Sequence, residues 1–435
     1  MATRIVSFGN RANENVTVDS VSGSGPYTLT LSSATTTTHN GDTIEDSAGE
    51  IYLITAGEGS TSLTVEDRLG AGTAPSTGAG HTERTYTDLS LAETGLNNTT
   101  LWDSGDEQII ECHADQSAFD ITSALIWNTA RTATVRPSIR AHEDSRHDGT
   151  AGTGVVFNAK SSTSYTFATS SSTRAFSFEY LDFTTDFAGN FFTHLYLATN
   201  PTTPVTTARG CICRNIERTS GTGTTGAYGI YVRDTNDVFN CLTYDIEYNI
   251  LSSGGAWGVY LQLSGSEDVR LINHTAHDQR VTHASATGDC HNYRIADQAD
   301  TEYRNILGTD TSNDGSGLNR AYSDTSITAA SADNLGCDDT SASGNNPLES
   351  ITPSDQYVST TAGSEDLHLK EGADCIDAGS DGGSDNGQDY DLDHVQRTGT
   401  WDIGADQYTV AAAANGTILS RKTGVELVNP HELIW

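Results

Sequence analysis

Histidines and carboxylates offer the first candidates for chemistry. The densest set is His274-x-x-His277-Asp278-x-Arg280-x-x-His283. Imidazole beside carboxylate and guanidinium is the composition of an acid/base or metal centre. His274 and His277 lie three apart, however, and one face of a strand takes residues two apart. The set would therefore line a loop groove, with solvated surface histidines as the alternative. Asp234 and Asp237 flank a Thr-Asn bend, and Glu267 and Asp268 occupy the equivalent bend one repeat later. Stacking of those bends would bring carboxylates together, as glycoside hydrolysis requires; turn formation by Asp is the competing explanation. Asp389, Asp391 and Asp393 alternate along a loop, with Asp377 and Asp385 nearby. Such a row of hard oxygens suits a structural Ca²⁺, although no full EF-hand is present. Tyr228, Tyr231, Trp257 and Tyr260 could offer a sugar-stacking surface, core packing being the alternative for half of them. The seven cysteines contain no C-x-x-C pair and read as small buried side chains. No phosphate loop, nucleophile elbow or redox motif occurs.

The elements that must position these residues are short. Gly, Ser, Thr, Asn and Asp interrupt the chain every few residues, which opposes long helices. Between them sit β-rich runs such as Tyr27–Leu31, Ile51–Thr55, Ser62–Glu66 and Gly229–Arg233. The class is all-β. Residues 1–68 read as a small N-terminal β module for particle attachment or oligomerisation, and the small-residue stretch 69–81 as a linker.

A repeat follows. Ala227-Tyr-Gly-Ile-Tyr231 recurs as Ala256-Trp-Gly-Val-Tyr260, 29 residues later. Asn215, Asn240, Asn273, Asn305 and Asn334 each sit beside an apolar or β-type residue, at steps of 25, 33, 32 and 29. Asp182 is a further possible member, 33 before Asn215. That period in an all-β chain predicts a solenoid. Coils stacked at about 4.8 Å place the same side chain above itself in every turn, so the asparagines should form a hydrogen-bonded ladder.

The C-terminal stretch carries Asp366-Leu-His-Leu369, Ile376-Asp-Ala-Gly379, the Asp-rich loop, Arg397 and Trp401-Asp-Ile-Gly-Ala-Asp-Gln-Tyr408. This order resembles the end of right-handed parallel β-helix proteins with a choice-of-anchor Q motif, with Asp374-Cys375 where that family has Ser-Pro. Tyr86–Glu93 and Arg146–Gly154 resemble opening coils of β-helical surface proteins of tailed viruses from marine or saline habitats. The resemblance implies a right-handed parallel β-helix over residues 82–410, about ten coils and roughly 50 Å long at strand spacing. It also implies a homo-oligomer, most simply a trimer. Residues 411–435 would form a C-terminal cap or docking tail.

Charge limits the partners. There are 23 Lys plus Arg against 58 Asp plus Glu, a net −35, and only three lysines. So anionic a surface repels nucleic acid and anionic membranes. Sparse Lys with dense carboxylate suits high salt. No apolar run is long enough to span a bilayer, and the first ten residues lack a secretory leader's basic and apolar regions. Together these features predict a virion surface protein: a spike, fibre or capsid turret. It would contact other virion proteins and a host-surface glycan or glycoprotein, with no required cofactor. A polysaccharide depolymerase on the same fold is the alternative, and an extracellular adhesin a second.

Overall fold

The computed structural model describes residues 3–67, 72–95, 107–127, 137–160, 165–169, 175–198, 205–221, 225–233, 236–262, 268–296, 300–323, 332–381 and 389–409. The strands wind into three parallel sheets that run along a common axis. The first sheet has nine strands, from Thr3–Phe8 through Glu107–Cys112 and Ser138–Ala141 to Ala332–Asp333. The second runs from Leu125–Trp127 through Ala227–Arg233, Ala256–Gln262 and Cys290–Ala296 to Asn319–Tyr322. The third includes Ile212–Arg218, Leu242–Tyr248, Thr275–Val281 and Leu307–Asn313. This is the parallel β-helix the period predicts, with nine rungs in its longest sheet.

Register explains how a chain with few apolar residues fills this interior. Ile110, Ile139, Phe178, Ala208, Val238, Leu271 and Tyr303 are successive register partners, and all are fully buried. One apolar position per strand, repeated in every rung, makes a continuous column. The bends are set by a second column. Tyr180, Gly210, Asn240, Asn273, Asn305 and Asn334 all have φ between 50° and 58°. Asn tolerates this left-handed conformation better than other residues with a Cβ. At Gly210 a Cβ would lie 2.4 Å from the Tyr180 ring, which excludes Asn there.

The asparagine ladder forms in four rungs. Asn273 Nδ2 donates to Asn240 Oδ1 at 2.9 Å, Asn305 to Asn273 at 2.9 Å, and Asn334 to Asn305 at 3.1 Å. Asn215 is not part of it. Asn215 sits within strand Ile212–Arg218 and donates to Thr184 Oγ1 at 3.1 Å. Asp182 likewise lies in a strand, paired with Arg214 at 2.9 Å. The series joins three structural columns, because each recurs once per coil.

The N-terminal module is a closed antiparallel barrel of strands Glu14–Ser22, Tyr27–Leu31, Thr43–Glu45, Ile51–Ala56, Ser62–Glu66 and Gly78–Glu83. Its boundaries differ from 1–68. Strand Thr3–Phe8 belongs to the solenoid, in parallel register with Glu107–Cys112. The stretch read as a linker supplies the barrel strand Gly78–Glu83, which pairs with Glu14–Val18 and Thr43–Glu45. Its small residues had hidden a strand whose barrel contacts are made through backbone. The barrel covers the outer edge of the first rung, where Ser7 N donates to Gly41 O at 2.9 Å.

Coiling ends near Leu348, which bridges Gly336. Residues 353–381 and 389–408 then lie back over the outer face of the third sheet. There Tyr357, Leu367, Leu369, Cys375, Leu392 and Ile403 pack on Ile212, Leu242, Tyr244 and Leu307. Ser380 is tied to the ladder, its N–H donating to Asn305 Oδ1 at 2.9 Å. The tail 411–435 lies outside the described residues.

Candidate functional site

The second sheet carries an aromatic groove on its outer face. Ala227 pairs with Ala256, Tyr228 with Trp257 and Tyr231 with Tyr260, so the sequence repeat is a structural register. Tyr196 precedes Tyr231 in the same column, and Arg294 follows Tyr260. Rings one rung apart stack at van der Waals spacing: Tyr231 on Tyr260 at 5.1 Å and 9°, Tyr228 on Trp257 at 5.0 Å and 17°. The Arg294 guanidinium closes the column over Trp257 at 4.7 Å and Tyr260 at 5.1 Å. The groove has a volume of about 360 Å³ and is lined by Tyr165, Phe192, Tyr196, Tyr228, Tyr231, Tyr260, Thr225 and Gln262. Trp257 is buried at the base of the stack rather than in the groove wall.

Because the rings stack on one another, their faces are largely covered, and buried Tyr228 accepts the Gly226 N–H at its Oη at 3.0 Å. Burial pushes the Tyr228 phenol up to about 12, and that of Tyr231 higher still. Both remain protonated hydroxyls, able to donate and accept. Tyr231 Oη donates to Gln262 Oε1. No carboxylate, imidazole or amine lines this groove among the described residues.

The third sheet carries a second cluster that sequence reasoning missed. Asp245, Asp278 and Asp310 occupy equivalent positions in adjacent rungs, with φ of 53°, 55° and 55°. Their steps of 33 and 32 equal those of Asn240, Asn273 and Asn305, displaced by five residues. That matching spacing was the available signal. Arg280 bonds Asp245 and Asp278 and lies 3.6 Å from Glu247. Burial, with the Asp245 and Asp310 charges adding, raises the Asp278 carboxyl to about 6 despite Arg280. Asp245, Glu247 and Arg280 line a cavity of about 270 Å³ with Asp186, Asn215 and Glu217.

The histidines expected in a loop groove are interior. His274 is fully buried, with Nδ1 3.1 Å from Tyr293 Oη, and burial holds it down to about 3. His277 is 1 % exposed and covered by Tyr357, its Nδ1 2.9 Å from Thr309 Oγ1; burial holds it down to about 4. Neither faces a cavity a substrate could enter. Their spacing of three arises because Ile272 ends a strand of one sheet and Thr275 begins a strand of the next, with His274 in the bend between them. Asp237 lies in strand Asn236–Phe239, buried in register with Arg270 and 2.7 Å from its Nη2, so it faces an opposite charge rather than a second carboxylate. Asp268 opens strand Asp268–Ile272; its side chain, Asp234 and Glu267 lie outside the described residues.

The Asp-rich loop holds a different constellation from a row of free oxygens. Asp391 is buried, and its Oδ1 accepts the N–H groups of Asp393 at 3.0 Å and Val395 at 2.6 Å. Burial and Asp393 raise its carboxyl to about 7. Asp393 Oδ1 is 3.1 Å from His368 Nε2, and Asp366 holds His368 Nδ1. Burial opposes protonation of His368, but Asp393, Asp406 and Asp366 outweigh it and raise the ring to about 10. His368 is thus a half-buried imidazolium among carboxylates.

No family model matches this chain, and no curated protein matches it. Among solved structures it is similar to the pectate lyase Pel9A at 12 % identity and a TM-score of 0.40, over 74 % of this chain and 92 % of that one. The strand pairing itself defines the class: a parallel β-helix bearing an aromatic groove and a separate acidic cavity.

Proposed function

We propose that this protein binds an extended, neutral glycan along the aromatic groove of its second sheet. The observation that carries this reading is a groove of tyrosine and phenylalanine on a rigid register, with Gln262 and phenolic hydroxyls as its polar groups. Sugar rings present C–H patches beside hydroxyls, and tyrosine edges offer the matching mixture. Among the described residues no acid/base pair lines the groove, which favours display over turnover at this site. The virion-surface setting expected from the sequence belongs to the same proposal, supported by the acidic composition. Particle proteomics of the source virus would test that setting.

Retention of the full chain on immobilised host-envelope glycans tests the binding. The Y231A/Y260A pair should weaken retention at least about tenfold, roughly 1.4 kcal/mol. Equal retention by the parent and the doubly substituted chain would refute the assignment. Depolymerisation is favoured as a second reading by one feature only, the Asp278 carboxyl raised to about 6 beside Arg280. New reducing ends or unsaturated products, lost in D278N, would establish it.

A further inference from the structure

Three histidines from distant parts of the sequence meet where the barrel joins the solenoid. His39 lies in the barrel connection between Tyr27–Leu31 and Thr43–Glu45. His113 and His142 follow strands Glu107–Cys112 and Ser138–Ala141, whose last residues, Cys112 and Ala141, are register partners. The ring centroids are 4.6 Å apart for His39 and His113, 4.5 Å for His39 and His142, and 4.7 Å for His113 and His142. One ligand nitrogen from each ring lies within 4.8 Å of the other two.

The nitrogens are also available. His113 is 1 % exposed, and its Nε2 has no hydrogen-bond partner. Buried His39 Nδ1 has none either and lies 4.0 Å from Glu58 Oε2. His142 Nδ1 accepts the Asp144 N–H at 3.2 Å, which leaves Nε2. A buried ring nitrogen without a partner is costly unless something fills the gap. Arg84 and Arg11 are matched by Asp42 and Asp115, and Glu58 adds a further carboxylate beside His39. Arg84 bonds Asp42 at 3.1 Å and Asp115 at 2.7 Å, and Arg11 bonds Asp42 at 3.1 Å.

We propose that His39, His113 and His142 bind one divalent transition-metal ion of the imidazole-preferring class, which clasps the barrel to the first rungs. Three neutral imidazoles suit Zn²⁺ and its neighbours rather than Ca²⁺ or Mg²⁺. A tetrahedral ion at about 2.1 Å from each nitrogen draws them to roughly 3.3 Å apart. Side-chain rotation supplies that contraction, and a fourth position stays open to water.

The test uses the full chain, stripped with chelator and titrated with Zn²⁺, and with Co²⁺ for its visible spectrum. One Zn²⁺ per chain at a Kd of about 100 µM or tighter, with tetrahedral Co²⁺ bands, supports the site. H39Q and H113Q should each weaken binding at least about tenfold, and H368Q should leave it unchanged. A weaker Kd, or binding lost with H368Q and kept in folded H39Q/H113Q, overturns it. Should the variants fail to fold, modification mapping of the parent decides. Zn²⁺ must protect His39 and His142 from diethyl pyrocarbonate, and protection confined to other histidines overturns the site.

Discussion

Asn273→Leu tests the ladder and the left-handed bend together. Asn273 is fully buried at φ 53°, donates to Asn240 and accepts from Asn305. Leucine has the same branched heavy-atom skeleton and is somewhat bulkier, so the substitution opens no cavity. It leaves Asn240 Oδ1 without that donor, whereas Asn305 Nδ2 keeps Ser380 O at 2.8 Å. Losing a buried partner costs about 1–3 kcal/mol. Holding a leucine in the left-handed region adds about 1–2 kcal/mol. The expected loss is therefore about 2–5 kcal/mol. For a chain this long, at about 1 °C per kcal/mol, that lowers Tm by roughly 2–5 °C, measured by scanning calorimetry. Asn273→Gly loses the same hydrogen bonds but tolerates the backbone, so it should melt about 1–2 °C above the leucine variant. A leucine variant within about 1 °C of the parent would refute the ladder as a stabilising device. Equal melting of the two variants would refute the contribution of the bend.

Further outcomes can be measured in the same way. His368 has a folded value of about 10 against 6.5, so its stabilisation is complete below pH 6.5 and lost as pH rises through 10. H368Q should flatten that alkaline decline in urea midpoints; an unchanged decline would refute the ion cluster. His277 is depressed to about 4, so its contribution holds above pH 6.5 and is lost as pH falls towards 4. H277Q should remove that component of acid sensitivity. Asp278 has a raised carboxyl, so its ionisation costs stability as pH rises from 3.8 through about 6. D278N should therefore gain up to about 1 kcal/mol at pH 8 relative to pH 4, and a loss at pH 8 would refute the reading. All seven thiols are buried. An exposed-thiol reagent should label none in the native protein and all seven in denaturant, and early labelling of any would contradict the packing.

What the sequence revealed depended on how local each signal was. The Tyr228/Trp257 and Tyr231/Tyr260 repeat is legible because a parallel solenoid converts sequence period directly into register. The asparagine ladder is legible from Asn240 onward for the same reason, and Asn215 failed because one period serves several columns. Asp245, Asp278 and Asp310 carried that period too, but turn-forming Asp is common enough to conceal it. His274 and His277 were placed in solvent because the change of sheet at Asn273 is invisible to a strand-spacing rule. The cluster of His39, His113 and His142 joins residues 74 and 29 apart across two modules, so no spacing rule reaches it. The barrel boundary failed because strand Gly78–Glu83 has almost no apolar pattern of its own.

The position of strand Thr3–Phe8 fixes an order of assembly. This strand leaves the ribosome well before its register partner Glu107–Cys112, which emerges about a hundred residues later. At ordinary translation rates that wait is about 5–20 s. The barrel, whose contacts are more local, has time to close in the interval. Gly41 and Tyr86 then hold the waiting strand by its backbone, Gly41 O accepting from Ser7 N and Tyr86 N donating to Ser7 O. The barrel thus serves as a jig on which the first rung is laid, and each later rung copies the one before it. Excising residues 12–83 while keeping Thr3–Phe8 should yield a chain that begins its solenoid late, or takes its first strand from a neighbouring copy.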